Sequence, residues 1–195
     1  MKNRLEKIGL RSINAVVDIT NFLTYDRGRP LHAYNSDLIS KNIGARLAKV
    51  GEKIKALDGK EYILDEETCV IADNEKALGV GGIIGGEEFA SELETKNIFL
   101  ESAYFDPIHI ARTGRKLNIN SDARYRFERG TDPNFVLEGL DIATEMILDI
   151  CGGKAGKTSV ALHEDFKNNE VDFDIKLDEK ISGIKISSKD IKKIL

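Results

Sequence analysis

Cysteine is scarce in these 195 residues: Cys69 and Cys151 stand alone, with no close pair to read as a disulfide. With no signal-like apolar stretch near Met1, this argues against a disulfide-stapled secreted scaffold and for a reduced, cytoplasmic setting. No apolar run approaches the roughly 18 residues that a membrane span requires, so no membrane association is expected. Positive charge is in deficit as well. A formal net charge of -4 argues against a uniformly basic nucleic-acid binder. DNA is not an expected partner, and any RNA contact must be localised. The three histidines and two cysteines are scattered without metal-ligand spacing, so no metal site is expected.

What is present is a chain that is 41% hydrophobic, enough for one sizeable core with a second small unit attached. Met1 to Leu10 can form a short amphipathic helix. Ile13 to Tyr25 can form another, because Ile13, Val16, Val17, Ile19 and Phe22 return at helical spacing. From Ile43 to Ile84 the character changes to short strands: the turn Leu57-Asp58-Gly59-Lys60 separates two strand-like runs, and Thr68 to Ala72 makes another. Ile98-Phe99-Leu100 reads as a buried strand that delivers Glu101 at its end. Asp106-Pro107 then starts a helix to about Leu117. Asp132-Pro133 repeats that start signal, and Val136, Leu137, Leu140, Ala143, Ile147 and Ile150 line one face until Gly152-Gly153. Strands that come in a run between helices predict an α+β fold, a central antiparallel sheet with flanking helices.

After a polar linker from His163 to Glu170, Val171, Phe173, Ile175 and Leu177 alternate with polar residues as a strand would. Ser188 can cap a last helix whose apolar stripe, Ile191, Ile194 and Leu195, is incomplete, as expected of a fragment of a longer polypeptide.

Two phosphate-loop patterns do not survive inspection. Gly79 to Gly86 holds five glycines in eight residues, but a dinucleotide fingerprint would need glycine where Ile84 stands, and Glu87 and Glu88 follow where anions should be attracted. Tight turns and close backbone packing are the better reading, with a backbone-lined pocket second. At Gly156-Lys157-Thr158 the Walker pattern requires glycine in place of Cys151.

A basic cluster stands out in this acidic chain: Arg112, Arg115, Lys116, Arg124, Arg126 and Arg129 face only Asp122 and Glu128, a formal excess of +4. With Tyr125 and Phe127 interleaved, it reads either as an RNA-phosphate surface, with Arg112, Arg115, Lys116 and Arg124 as candidate ligands, or as a half-buried segment with internal ion pairs. His32 could position a water or accept a proton, though a lone histidine is more often structural. Glu101, directly after an apolar strand, sits either at a sheet edge in water or among buried partners.

Five ordered blocks over residues 1 to about 160 carry a family resemblance: Gly9-Leu10-Arg11-Ser12-Ile13-Asn14-Ala15-Val16-Val17-Asp18-Ile19-Thr20-Asn21; Pro30-Leu31-His32-Ala33-Tyr34; Gly82-Ile83-Ile84-Gly85-Gly86; Leu100-Glu101-Ser102-Ala103-Tyr104-Phe105-Asp106-Pro107; and Ser121-Asp122-Ala123 leading into Arg126-Phe127-Glu128-Arg129-Gly130-Thr131-Asp132-Pro133. Together they resemble the central, tRNA-editing domain of the bacterial-type phenylalanyl-tRNA synthetase β subunit. The resemblance implies an editing domain over residues 1–165. Residues 166–195 would be a linker and the truncated start of a small winged-helix-like domain.

In that family the domain hydrolyses tyrosine misattached to tRNA(Phe). The carry-over makes His32 and Glu101 the catalytic candidates, and Gly85, Glu101, Ser121 and Ala123 the substrate-binding ones. Glu101 would accept the tyrosine hydroxyl and His32 would orient water or substrate. Water would attack the ester directly, with backbone donors near Gly85 or Ser121 for the oxyanion. The resemblance further implies tRNA(Phe) and a synthetase α subunit as partners in an α2β2 heterotetramer, with ATP and Mg2+ serving the full synthetase and no cofactor in this chain. Serine at 121 departs from the family's usual threonine. It keeps the hydroxyl and loses a methyl, and it leaves open a non-catalytic RNA-docking or assembly module. A free-standing editing protein is a third reading, suggested only by Met1.

Overall fold

Polar groups at the element ends fix where this chain turns. The computed structural model describes residues 1–161 and 170–194, in two units, Met1–Ser159 and Val160–Leu195. In the first unit a short α1 (Lys2–Lys7) precedes α2 (Ala15–Asp26), whose start is set by Asn14: its side-chain oxygen accepts from the Val17 amide at 2.8 Å. Asp18, one turn in, is buried because it accepts from the Ser12 hydroxyl at 2.5 Å and the Ile13 amide at 3.0 Å, tying the entry loop to the helix.

Eight strands follow: β1 (Leu31–Asn35), β2 (Gly44–Leu47), β3 (Lys53–Lys55), β4 (Glu61–Ile63), β5 (Cys69–Ala72), β6 (Ala77–Val80), β7 (Ile84–Gly85) and β8 (Ile98–Ser102). All named pairings are antiparallel. The central sheet runs β2-β5-β6-β7, with β3-β4 and β1-β8 as separate ribbons. The turn between β3 and β4 has Gly59 at φ 78°, a left-handed conformation that suits glycine, beside Asp58, whose carboxylate accepts from the Lys60 amide. Every residue of β6 is buried, so both faces of the sheet are covered there.

The β1-β8 ribbon separates two cores. Leu31 and Leu100 turn toward a cluster built on Ile19, Leu23 and Ala143, while Tyr34 and Phe99 turn toward the sheet core with Val70, Leu78, Val80 and Phe127. Strand alternation produces this division, since successive side chains leave opposite faces.

The chain then forms α3 (Pro107–Lys116), α4 (Asp122–Phe127) and α5 (Val136–Cys151). Asp106 caps α3 by accepting from the His109 amide at 2.7 Å. Asp132 caps a 3-10 turn, Pro133–Phe135, that leads into α5, and Gly152 at φ 73° ends it. Of the face expected of α5, Ala143 is buried and Ile147 packs with it against Ile19 and Leu23, while Leu137 and Ile150 are exposed; Gly139, outside the expected set, is buried as well. The reason is proximity, since a Cβ at Gly139 would stand 2.9 Å from Arg29 Cγ. The segment Arg124 to Phe127 is helical, with Tyr125 exposed and Phe127 buried.

The second unit contains α6 (Leu177–Ser182) and α7 (Ser188–Ile194). The strand expected across Val171 to Leu177 is not there; Leu177 opens α6, and Val171 is 85% exposed. Alternation makes a strand only where a neighbour supplies hydrogen bonds, and no strand of this unit among the described residues does. Ser187, not Ser188, heads α7: its hydroxyl accepts from the Asp190 amide at 3.2 Å. Of the expected stripe, Ile191 is buried, Ile194 is exposed and Leu195 lies outside the described residues. The expected linker from His163 and the expected domain boundary at 165 also fall outside them.

Candidate functional site

The register of β1 against β8 sets His32 directly opposite Glu101 and Tyr34 opposite Phe99. Cross-strand partners and residues two apart share a face, so His32, Tyr34 and Glu101 emerge together on the side of the sheet core. The Tyr34 hydroxyl donates to Glu101 Oε2 at 2.8 Å, and the His32 ring packs edge-on against the Tyr34 ring at 4.2 Å between centroids.

These groups line a cavity of about 70 Å³ whose other walls are the backbone from Val80 to Gly85 and the side chains of Phe105, Ala123 and Phe127. The volume is below the roughly 150 Å³ of an apolar cavity that takes a benzene ring, and well below the roughly 300 Å³ or more that whole small-molecule ligands take. The glycine segment makes the wall by close approach. A Cβ on Gly85 would fall 2.4 Å from His32 Cε1 and 2.5 Å from Nε2, and one on Gly82 would fall 2.7 Å from Phe105 Cδ2. Only a bare backbone lets the imidazole lie so near the wall.

The electrostatics follow from enclosure. Burial pushes the Glu101 carboxyl up to about 7, opposed by the hydrogen bond from Tyr34. Burial pushes the His32 imidazole down to about 4, so at neutral pH it is uncharged, and its Nε2 has no partner among the described residues. The Cys69 thiol is raised, first by burial and then by the Glu101 charge. A neutral imidazole beside a carboxyl that titrates near neutrality can orient a water and read a hydroxyl. No serine completes a nucleophilic triad with His32: the Ser121 hydroxyl donates to the Ile83 carbonyl and the Ser102 hydroxyl to the Val136 carbonyl.

His32, Gly85, Glu101 and Ala123 meet at this cavity. Ser121 stands behind it. Its hydroxyl accepts from the Arg124 amide at 3.0 Å and donates to the Ile83 carbonyl at 2.5 Å, so it joins the α4 start, which carries Ala123, to the glycine wall. Both bonds use only the hydroxyl, which threonine and serine share. Near Gly85, the amides of Ile83 and Gly86 are engaged by the Val80 and Leu78 carbonyls.

The basic residues divide. Arg124 is a correction to the RNA-ligand expectation: its guanidinium donates to the Gly114 and Ile119 carbonyls and to Asn120, and it pairs with Glu128 at 3.0 Å, holding α3 to α4. Lys116 pairs with Asp65 and Glu67. Arg112 and Arg115 are exposed and without ion pairs among the described residues.

Sequence reasoning missed Arg29, which is buried and donates to the Ala103 carbonyl at 2.7 Å and to the Asp132 carbonyl. It thereby clamps the start of β1 to the end of β8. It also assigned no role to Tyr34, although a tyrosine two residues from His32 shares its face in any strand.

Residues 1–152, which hold β1, β8 and every wall of the cavity, match the B3/4 domain. The chain belongs to the B3/4 domain family. The chain is 47% identical over 196 residues to the phenylalanine–tRNA ligase β subunit of Bradyrhizobium diazoefficiens, a match covering 100% of the chain and 24% of that protein. It is 53% identical over 161 residues to the corresponding subunit of Ruegeria pomeroyi, covering 83% of the chain and 20% of that protein. The chain thus spans about a quarter of the length of the curated relatives it matches. Its fold is also similar to an N-terminal fragment of the phenylalanyl-tRNA synthetase β subunit from Pyrococcus horikoshii, with a TM-score of 0.50 at 17% identity over 91% of this chain and 53% of that one. Among the described residues no helix is long and apolar enough to cross a membrane.

Proposed function

We propose that this B3/4 domain is the editing module of a phenylalanine–tRNA ligase β subunit, hydrolysing the ester of tyrosine misattached to tRNA(Phe). The observation that carries this reading is a carboxyl, Glu101, opposite His32 on one ribbon and facing an otherwise apolar cavity. An apolar synthetic site rejects an added hydroxyl by only about 100-fold, whereas a site that bonds the hydroxyl discriminates by roughly 10⁴ or more. Tyrosine gives the Glu101 carboxylate a donor. Phenylalanine leaves its second oxygen, Oε1, desolvated and without a donor, at about 1–3 kcal/mol.

In the reaction, a water oriented by neutral His32 attacks the carbonyl joining tyrosine to the terminal ribose. The water oxygen bonds to the carbonyl carbon, the ester C–O bond breaks, and the ribose oxygen leaves with a proton. At the start of α4 the Arg124 amide is taken by the Ser121 hydroxyl, as those of Ile83 and Gly86 are by carbonyls, which leaves the Asp122 and Ala123 amides, lacking intrahelical acceptors, to donate to the oxyanion. Aminoacylation, with ATP and Mg2+, belongs to the assembled cytoplasmic α2β2 enzyme, with the α subunit and tRNA(Phe) as partners. Exposed Arg112 and Arg115 are the cations of the basic cluster best placed to meet RNA phosphate.

The test is hydrolysis of tyrosyl-tRNA(Phe) and phenylalanyl-tRNA(Phe) by the reconstituted ligase, wild type against His32→Ala and Glu101→Ala. The tyrosyl ester should be cleaved faster by wild type, with the preference lost on Glu101→Ala and the rate on His32→Ala. Tight tRNA binding without deacylation by the wild-type ligase would instead establish a docking module.

A further inference from the structure

Tyr34 is a buried phenol bonded to the group that is meant to recognise a phenol. It is 2% exposed, its hydroxyl donates to Glu101 Oε2 at 2.8 Å, and no protein donor among the described residues reaches Oε1 of the same carboxylate. The phenol is held on three sides. The His32 ring lies edge-on against it, Phe99 stands opposite in the ribbon, and the wall at Gly79 is so near that a Cβ there would sit 3.4 Å from the Tyr34 oxygen. A hydroxyl locked in this way is not simply a satisfied core group. It divides the two oxygens of one carboxylate between the protein and the cavity.

We propose that Tyr34 is a positioning residue that sets the specificity of Glu101, holding Oε2 so that Oε1 alone is offered to a hydroxyl at the tip of the ligand's ring. The role rests on the reading of Glu101 as the acceptor of a substrate phenol. A free carboxylate could turn either edge to the cavity and, with four lone-pair sites, recruit water beside a phenylalanine ring. With Oε2 occupied and its rotation blocked, one oxygen without a donor remains, and a tyrosine phenol meets it where a phenylalanine edge does not. The bond also favours the ionised form, because it stabilises the carboxylate against its burial. The titratable groups facing Glu101 are Tyr34 and His32 from β1 and Cys69 from β5; the first two are uncharged at neutral pH and the thiol is raised by burial and by Glu101 itself.

The test uses the reconstituted ligase carrying Tyr34→Phe, Glu101→Gln or both, with single-turnover hydrolysis of tyrosyl-tRNA(Phe) and phenylalanyl-tRNA(Phe) from pH 6 to pH 9. For Tyr34→Phe, the tyrosyl-over-phenylalanyl preference should fall about tenfold, the worth of one hydrogen bond to a charged group. The rising limb of the tyrosyl profile, with its midpoint near 7 in the wild type, should move upward by about one pH unit. A merely structural role would slow both substrates alike and leave the midpoint in place. Preference and midpoint both unchanged in Tyr34→Phe, with preference lost in Glu101→Gln, would overturn the role of Tyr34 and leave that of Glu101 standing. Preference retained in Glu101→Gln would overturn both. If Tyr34→Phe adds nothing to Glu101→Gln in the double variant, the two act as one unit, as expected; additive losses would overturn the proposal.

Discussion

The central sheet and the β1-β8 ribbon are both antiparallel and both face the same core, yet they bury opposite chemistry. The sheet places Val70, Ile71, Leu78 and Val80 inside, side chains that gain by leaving water. The ribbon places His32, Tyr34 and Glu101 there, groups whose ionised forms lose by it. Stability is therefore drawn from the sheet, and the ribbon carries reactive groups that the sheet's stability offsets. The comparison can be broken or sharpened by substitution on either side.

The largest effect is expected in the sheet. Leu78→Ala, at a fully buried position, should lower unfolding free energy by about 3 kcal/mol in urea titrations, through lost transfer and a new cavity. On the ribbon side, Gly85→Ala should leave the melting transition less affected while slowing tyrosyl-tRNA(Phe) hydrolysis by about 100-fold. The added methyl occupies space the His32 ring now fills, and small displacements at a reacting centre carry costs of that order. Equal loss of fold and activity would erase the distinction between the two regions.

Next in size is a pH effect with two opposite signs. Glu101 is raised to about 7 from the ordinary 4.5, so the folded state holds a proton that the unfolded chain releases, and stability declines as pH climbs from about 4.5 to 7. His32 is lowered to about 4 from 6.5, so stability declines as pH falls from about 6.5 to 4. Between 4.5 and 6.5 the slopes oppose, and the contributions of this pair nearly cancel. Glu101→Gln should stabilise the protein at pH 8 by about 2 kcal/mol, leave it unchanged near pH 4, and uncover a curve that rises with pH. His32→Asn should uncover the falling one. Parallel curves for both variants and the wild type in thermal melts would mean that neither group is buried as described.

The smallest effect lies on the surface. The Arg46 guanidinium grips Glu52 through two hydrogen bonds, at 2.6 and 2.8 Å, and holds its carboxyl down at about 2. Glu52→Gln should cost about 1 kcal/mol at pH 7. The difference should vanish as pH falls through 2, where the wild-type carboxyl is protonated too. A loss that persisted there would point to packing as its source.

Much of this was legible in the residues themselves. Asp106 and the Asp58-Gly59 turn announced their elements because caps and turns are local chemistry, and Ile98 to Leu100 announced the strand that bears Glu101. β1 was not legible as a strand. Its two faces are covered by different cores, so Leu31-His32-Ala33-Tyr34 shows no division into wet and dry sides. Val171 to Leu177 has that alternation without a partner, and so forms no strand. Charge and spacing left Arg124 open between a phosphate ligand and a half-buried ion pair; its carbonyl partners at Gly114 and Ile119 are visible only once α3 and α4 meet.

By itself, the sequence determined the start of α3, the hairpin turn and the family, since each rests on neighbouring residues or on ordered blocks of them. It also marked Glu101 as a carboxylate either at a sheet edge in water or among buried partners. Only the tertiary structure decided between the two and supplied the partners. Register brought His32 and Tyr34 across from Glu101, and a bare glycine wall closed the cavity over them. The opposite shifts of carboxyl and imidazole then follow from exclusion of water, a property of everything packed around a group and of no residue alone.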